Sequence, residues 1–223
     1  MNGFRILDIK RRVAPDLIRR FAAVPAANVS DVMSRMAAAG PTLRPMHAGG
    51  ILAGPAFTVK CRPGDNLMLH KALDLASPGD VIVVDAGGDL TNALLGEMML
   101  AHARTRGLAG VVINGAVRDL DSIRVSSFPV YAAGVTHRGP YKDGPGEINV
   151  PISLNGMIVE PGDLILGDPD GVVCVPFDEA ESICAAAERK HAEETDQMKR
   201  ILSGTVDRSW VDTALKRLGV ISL

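Results

Sequence analysis

Twenty residues separate Glu97 from an adjacent pair, Arg118 and Asp119, in the stretch "GEMMLAHARTRGLAGVVINGAVRD" that spans 96 to 119. Their side chains suggest one kind of chemistry. Arginine presents a planar fork of donors that grips a carboxylate through two parallel hydrogen bonds. Aspartate supplies the hard oxygen that Mg²⁺ or Mn²⁺ favours. Taken alone, an Arg-Asp pair at a helix start is more often a surface pair or a cap. Whether the three charges form one site depends on the elements that carry them.

"VIVVDA" and "LAGVVIN" are continuous β-branched runs, which predicts strands buried on both faces with helices packed outside. The segment between them, "GGDLTNALLGEMMLAHARTRG", reads as helical, giving a strand, helix, strand unit of the parallel-sheet type. An open α/β sheet collects ligands beyond the carboxyl ends of its strands, and Arg118 and Asp119 fall just there, after "GVVIN". The helical pattern could begin as early as Thr91. If the well-formed helix instead starts near Gly96, the amides of Met98 and Met99 lack intrahelical partners and point, with the helix dipole, at an anion. Glu97 then enters the same pocket.

The remaining chain supplies the frame. "APDLIRRFAAV" has helical spacing, and "NVSDVMSRMAAAG" predicts a second helix with Asn28 or Ser30 as its N-cap and Gly40 at its exit. "GPAFTVKC" alternates Phe57, Val59 and Cys61 against Thr58 and Lys60, the period of a strand with unlike faces. Asp65, in "PGDNLMLHKALDLASPGD", is placed to cap a short helix. A short helix after "NGAV" and the strand "FPVYAAGV" extend the sheet. "NVPISLNGMIVEPGDLILGDPDGVVCVP" is broken by Asn-Gly, Pro-Gly and Asp-Gly, which predicts a β-rich meander, and two helices close the chain. No repeat or linker marks a boundary, so residues 1–223 are expected to form one domain.

Composition narrows the function classes. Apolar residues make up 47% of the chain and aromatics only 4%, so the core should be aliphatic. The 24 basic residues against 26 acidic ones include no basic block, which removes the footprint of a nucleic-acid binder while leaving small anions as ligands. Cys61, Cys174 and Cys184 are widely spaced in apolar surroundings and are expected to be buried free thiols in a reducing cytoplasm. The N-terminal "MNGFRILDIKRRVAPD" has charges where a signal peptide needs an apolar core, and no run approaches membrane-spanning length, so a soluble cytoplasmic protein is expected. "DAGGD" lacks the G-x-G-x-x-G spacing of a nucleotide site, which argues against a methyltransferase. His47, His70, His102, His137 and His191 are scattered without ligand spacing and read as surface or structural residues.

With these pieces assembled, the chain resembles the RraA-like family, in its branch of class II pyruvate aldolases. The resemblance rests on the acidic-x20-Arg-Asp spacing of Glu97, Arg118 and Asp119, and on "NVSDVM", "GPAFTVKCRPGDN", "PGDVIVVDAGGD", "GVVINGAVRD" and "GDLILGDPDGVVCVP" in order. Characterised members include 4-hydroxy-4-methyl-2-oxoglutarate and 4-carboxy-4-hydroxy-2-oxoadipate aldolases of aromatic-compound degradation. The resemblance implies an α/β fold, a layered sandwich of the swivelling β/β/α type with a mixed central sheet and C-terminal helices. It further implies homotrimers or homohexamers with sites between subunits. By position, Asp119 would ligate Mg²⁺ or Mn²⁺, Arg118 would hold the pyruvyl oxygens, and the amides of Met98 and Met99 would receive the substrate carboxylate. Lys142 of "GPYKDG" would lie nearby. Glu97 would hold metal-bound water, joined by Asp31 and Glu194 from a neighbouring subunit.

The residues themselves leave alternatives for three of these. Asp31 can cap or flank its helix, Glu194 can belong to a solvated face, and Lys142, before Asp143-Gly144, can be part of a turn. Asn114 departs from the family, where an acidic residue is common; its amide keeps hydrogen bonding but removes a charge. The implied reaction is metal-dependent retro-aldol cleavage of a 4-hydroxy-2-oxo acid to pyruvate, without a Schiff-base lysine and with oxaloacetate decarboxylation as a side activity. The competing implication is a binding function, because RraA itself regulates ribonuclease E by binding it on the same fold. Regulator-type sequences typically lack the acidic residue after the motif arginine. Asp119 therefore favours an enzyme acting on a small oxo acid.

Overall fold

The computed structural model describes residues 3–220. Helices α1 (Pro15–Phe21) and α2 (Ala26–Val32) lead into a brief strand β1 (Arg44–Pro45) and the long strand β2 (Leu52–Cys61). Helix α3 (Leu67–Leu75) carries the chain to β3 (Val81–Asp85), and β4 (Ala93–Leu95) runs directly into helix α4 (Glu97–Thr105). Strand β5 (Gly110–Val117), helix α5 (Leu120–Arg124) and strand β6 (Val130–Val135) follow. The meander comprises β7 (Gly146–Ile148), the paired β8 (Ile152–Leu154) and β9 (Met157–Val159), then β10 (Leu164–Asp168) and β11 (Gly171–Val175). Helices α6 (Ala180–Leu202) and α7 (Ser209–Arg217) complete the order.

The main sheet has nine strands in the order β1-β6-β5-β3-β2-β10-β11, with β4 added to β5 and β7 to β2. Strands β2, β3, β5 and β6 are parallel, whereas β1, β7, β10 and β11 pair antiparallel, so this is the mixed α/β sheet that the family resemblance implies. Its two faces are buried by different partners. Ile82, Val84, Val111 and Ile113 join the cluster under α3, α4 and α5, while Val81, Val83 and Val112 point to the other face, against Leu154 and Val159 of the β8-β9 pair. Successive side chains alternate across a strand, which is why an unbroken β-branched run is needed where both sides are dry. Truncating Ile113, which is fully buried, to Ala should cost roughly 2–5 kcal/mol. A third cluster joins α1, α2 and the first half of α6 to β10 and β11.

Three local expectations need correction. The predicted helix between the β3 and β5 runs is split, because Ala93, Leu94 and Leu95 are buried and extend the sheet instead. Strand β4 takes up pairing with β5 at Ala116 and Val117, beyond the last β3 partner at Asn114. Helix α2 begins at Ala26 rather than after an Asn28 or Ser30 cap, and it ends before Gly40, with Ser34 and Arg35 at positive φ. Its first turn is held from outside, the Ala26 amide donating to Asp168 Oδ2 at 2.9 Å. Thr58 is not on a polar face: it is buried and donates to Val150 O at 2.6 Å, leaving only Lys60 exposed between the apolar positions. No helix among the described residues is long and apolar enough to cross a membrane.

Candidate active site

The β4-β5 pairing delivers the two halves of the site to one place. The Arg118 amide donates to Leu95 O at 3.0 Å, so the chain beyond β5 lies beside the residue that opens α4. Gly96 is that residue, in extended conformation, and the first intrahelical bond is from Leu100 N to Gly96 O at 3.1 Å. The amides of Glu97, Met98 and Met99 precede it and lack intrahelical acceptors. Asp119 Oδ2 accepts the Glu97 amide at 2.9 Å, so this carboxylate caps a helix twenty-two residues away in sequence. A side chain at 96 would abolish the approach: a Cβ there would overlap Asp119 Oδ2 and stand 3.0 Å from Arg118 Cγ.

Asp119 itself adopts φ 60° and ψ 43°, a left-handed conformation unusual for a residue other than glycine. The turn aims its side chain at α4 while its carbonyl accepts Ser122 N at 3.1 Å and starts α5. Arg118 Nε lies 3.8 Å from Asp119 Oδ2, and both side chains are a little under half exposed, at 45% and 41%. The surface-pair reading is therefore incomplete. The pair is also a cap, and its open side faces a cleft.

That cleft, of about 390 Å³, is lined by Glu97, Met98, Met99, Arg118, Asp119 and Lys142, which are the residues singled out from sequence on this side of the molecule. Positive charge from Arg118, Lys142 and the α4 N-terminus suits an anion. His70 and Asn66 line it too, and sequence reading missed both. Their spacing of four on one helix start was the available signal, since such a pair shares a face. Burial, and then the nearby Lys142 ammonium, push the His70 pKa below the ordinary imidazole value. Asn66 is buried; its Nδ2 donates to Leu94 O at 2.8 Å, which ties β4 to α3, and its Oδ1 has no partner.

Asp31 and Glu194 lie away from this cleft but beside each other. Lys190 Nζ is 3.2 Å from Asp31 Oδ2 and 2.8 Å from Glu194 Oε1, and Asn28 Nδ2 donates to Glu194 Oε2 at 2.6 Å. Lys190 first, and Asn28 second, hold the Glu194 carboxyl below the usual carboxylate range. Glu194 thus sits on an exposed face of α6 engaged by Lys190 and Asn28, and Asp31 lies in the last turn of α2 and not at its N-cap. Asn114 is buried at a register shift of β5, against the turn at Gly88, and does not line the cleft.

Among the described residues no group of three or more His, Cys, Asp or Glu is placed to hold a metal ion. A zinc-type cage is therefore not what the donor set offers. Mg²⁺ and similar hard ions are different, because they retain waters and take one or two carboxylates together with substrate oxygens. Asp119, with Oδ2 engaged by the Glu97 amide, fits that pattern as a single protein ligand.

A mixed sheet with a cleft beside the end of β5 defines an α/β protein. A family model described as RraA-like, Aldolase/RraA, matches residues 26–174, and the chain belongs to that family. It is 40% identical, over 191 residues, to a protein of Halalkalibacterium halodurans that carries the provisional name 4-hydroxy-4-methyl-2-oxoglutarate aldolase; the match covers 86% of this chain and 90% of that one. Among solved structures, RraAS2 of Streptomyces coelicolor, described as an unusual member of the RNase ES inhibitor RraA family, superposes with TM-score 0.76 at 28% identity, covering 84% of this chain and 98% of its own. The RNA-processing inhibitor RraA from Thermus thermophilis gives TM-score 0.63 at 33% identity, covering 68% and 92%. The fold is that of RraA proteins, as the sequence resemblance implies.

Proposed function

We propose that the protein is a divalent-metal-dependent pyruvate aldolase, which cleaves 4-hydroxy-2-oxo diacids or triacids such as 4-hydroxy-4-methyl-2-oxoglutarate and 4-carboxy-4-hydroxy-2-oxoadipate. One observation carries this reading: Arg118, Asp119, Glu97 and the unpaired first-turn amides of α4 share a single cleft. The relative named as an aldolase supports a carbon-carbon lyase, and the retained Asp119 argues against a purely binding role.

The chemical difficulty is the negative charge left when the C3-C4 bond breaks. Asp119 would hold Mg²⁺ or Mn²⁺, and the ion when bound supplies Lewis acidity toward the 2-oxo group. Arg118 sets a fixed positive charge beside the oxygen on which the enolate develops. The Met98 and Met99 amides, backed by the helix dipole, receive the 1-carboxylate, and Lys142 adds charge on the same side. Glu97 accepts the 4-hydroxyl proton through solvent as C4 becomes a carbonyl, and a proton returned to C3 of the enolate completes pyruvate. Oxaloacetate loses carbon dioxide through the same enolate, so decarboxylation follows as a side activity. In a homotrimer or homohexamer, Asp31 and Glu194 of a neighbouring subunit would face this cleft.

The test is pyruvate release from the two hydroxy acids and from oxaloacetate, with Mg²⁺ or Mn²⁺ and after EDTA. Metal-dependent release is expected. Arg118→Ala and Arg118→Lys should lower turnover by orders of magnitude, and Asp119→Asn should weaken the response to metal. Near-normal turnover in these variants at matched metal concentration rejects the site. No release from any substrate by the folded wild type turns the reading to RraA-type binding of ribonuclease E, which is then assayed directly.

A further inference from the structure

Lys142 reaches the cleft from a loop, and the loop has an anchor that sequence reading assigned a different task. Asp65 was expected only to cap a short helix, and its Oδ1 does accept the Leu67 amide at 2.9 Å at the start of α3. Its other oxygen does more. Asp65 Oδ2 accepts the amides of Asp143 at 2.7 Å and Gly144 at 2.9 Å, the two residues that follow Lys142. Arg62 Nη2 approaches the same oxygen at 3.3 Å. Backbone pairing brackets the other side of Lys142, with Tyr141 N donating to Gly64 O at 2.9 Å and Asn66 N donating to Tyr141 O at 3.0 Å.

Asp65 is 1% exposed, so its charge is held by these donors rather than by water. The Asp143 and Lys142 side chains are exposed, while the Gly144 backbone turns inward at φ 70°. The anchor therefore grips the loop by its main chain and leaves the ammonium free to face the cleft. Without it, a flexible four-carbon side chain would ride on a loose loop and lose much of its hold on an anion to conformational entropy.

We infer that Asp65 is a positioning residue, a buried carboxylate strap that fixes the 141–144 loop so that Lys142 meets the anionic substrate beside α4. This rests on the aldolase reading for the identity of the anion, not for the strap. Asp65→Ala would remove both acceptor oxygens and release the loop.

The probe is oxalate, a planar dianion shaped like pyruvate enolate, titrated calorimetrically with Mg²⁺ present, together with amide hydrogen exchange over 141–144. Lys142→Ala is expected to weaken oxalate about tenfold. Asp65→Ala should match that loss, strip exchange protection from Asp143 and Gly144, and add nothing when combined with Lys142→Ala. Asp143→Pro deletes one strap bond from the loop side and leaves the carboxylate in place, so oxalate affinity and exchange at Gly144 decide the matter if Asp65→Ala fails to fold. Losses that multiply in the double variant, or a loop that stays protected, overturn the inference. Variants that show this pattern with oxalate, beside a wild type that releases no pyruvate, uphold the strap while the aldolase reading falls.

Discussion

At the scale of single residues, the site depends on two features that neighbours impose. Gly96 is one: only its missing side chain lets Asp119 reach the Glu97 amide. Gly96→Ala should cost about 1–3 kcal/mol through overpacking and should lower the apparent affinity for metal, checked by thermal unfolding and by pyruvate release across a Mg²⁺ series. His70 is the other. Burial and then Lys142 lower its pKa, so Lys142→Ala should raise the titration midpoint toward the ordinary value without reaching it, because burial remains. Imidazole NMR reads this directly, and an unmoved midpoint would show the two groups do not sense each other. The sign for stability follows. The unfolded chain binds the proton more readily, so His70 favours the native state above its unfolded pKa of about 6.5, and this contribution is lost as pH falls toward the folded value.

At the scale of elements, short helices are held in place by carboxylates from elsewhere. Asp168 at the end of β10 accepts the Ala26 amide at the first turn of α2 and the Asp170 amide through its other oxygen, both at 2.9 Å. Asp168→Ala should therefore cost about 1–2 kcal/mol, seen as a lowered urea midpoint. It should also loosen Asp31, because α2 carries that residue against Lys190 of α6. A midpoint equal to wild type would mean water replaces the cap. Asp119 does the same for α4, and Asp65 for α3. The sequence marked Asp65 as a cap because its acceptor and donor are two residues apart. Asp119 and Asp168 could not be marked, since their donors are 22 and 142 residues distant.

At the scale of the whole molecule, the proposed function would set a second subunit against the cleft. If Glu194 acts across an interface, mixing Arg118→Ala with Glu194→Gln protein during reassembly should restore part of the activity that each variant lacks, because some sites then carry neither change. Unrestored activity would confine Glu194 to its own chain, where Lys190 and Asn28 already engage it. The thiols report on integrity. Burial raises the Cys61 pKa to about 12 and that of Cys184 to about 11, so a thiol reagent at pH 8 should label these two only on unfolding. Fast labelling of the native protein would contradict the core described above.

Much of this molecule was legible from residue order alone. Unbroken β-branched runs announced β3 and β5, turn dipeptides announced the meander, and one acid with an Arg-Asp pair marked the cleft, because each signal is carried by residues close together or by a period that sterics dictate. Ala93–Leu95 could not be read correctly, since a buried apolar triplet suits helix or strand until β5 presents a free edge beyond β3. Nor could Asn66 and His70 be placed in the cleft, or Asp65 be seen to hold the loop that follows Lys142. Those relations join segments far apart in the chain. Only the tertiary structure decides them, because hydrogen bonds and charges act through the few ångströms that folding closes.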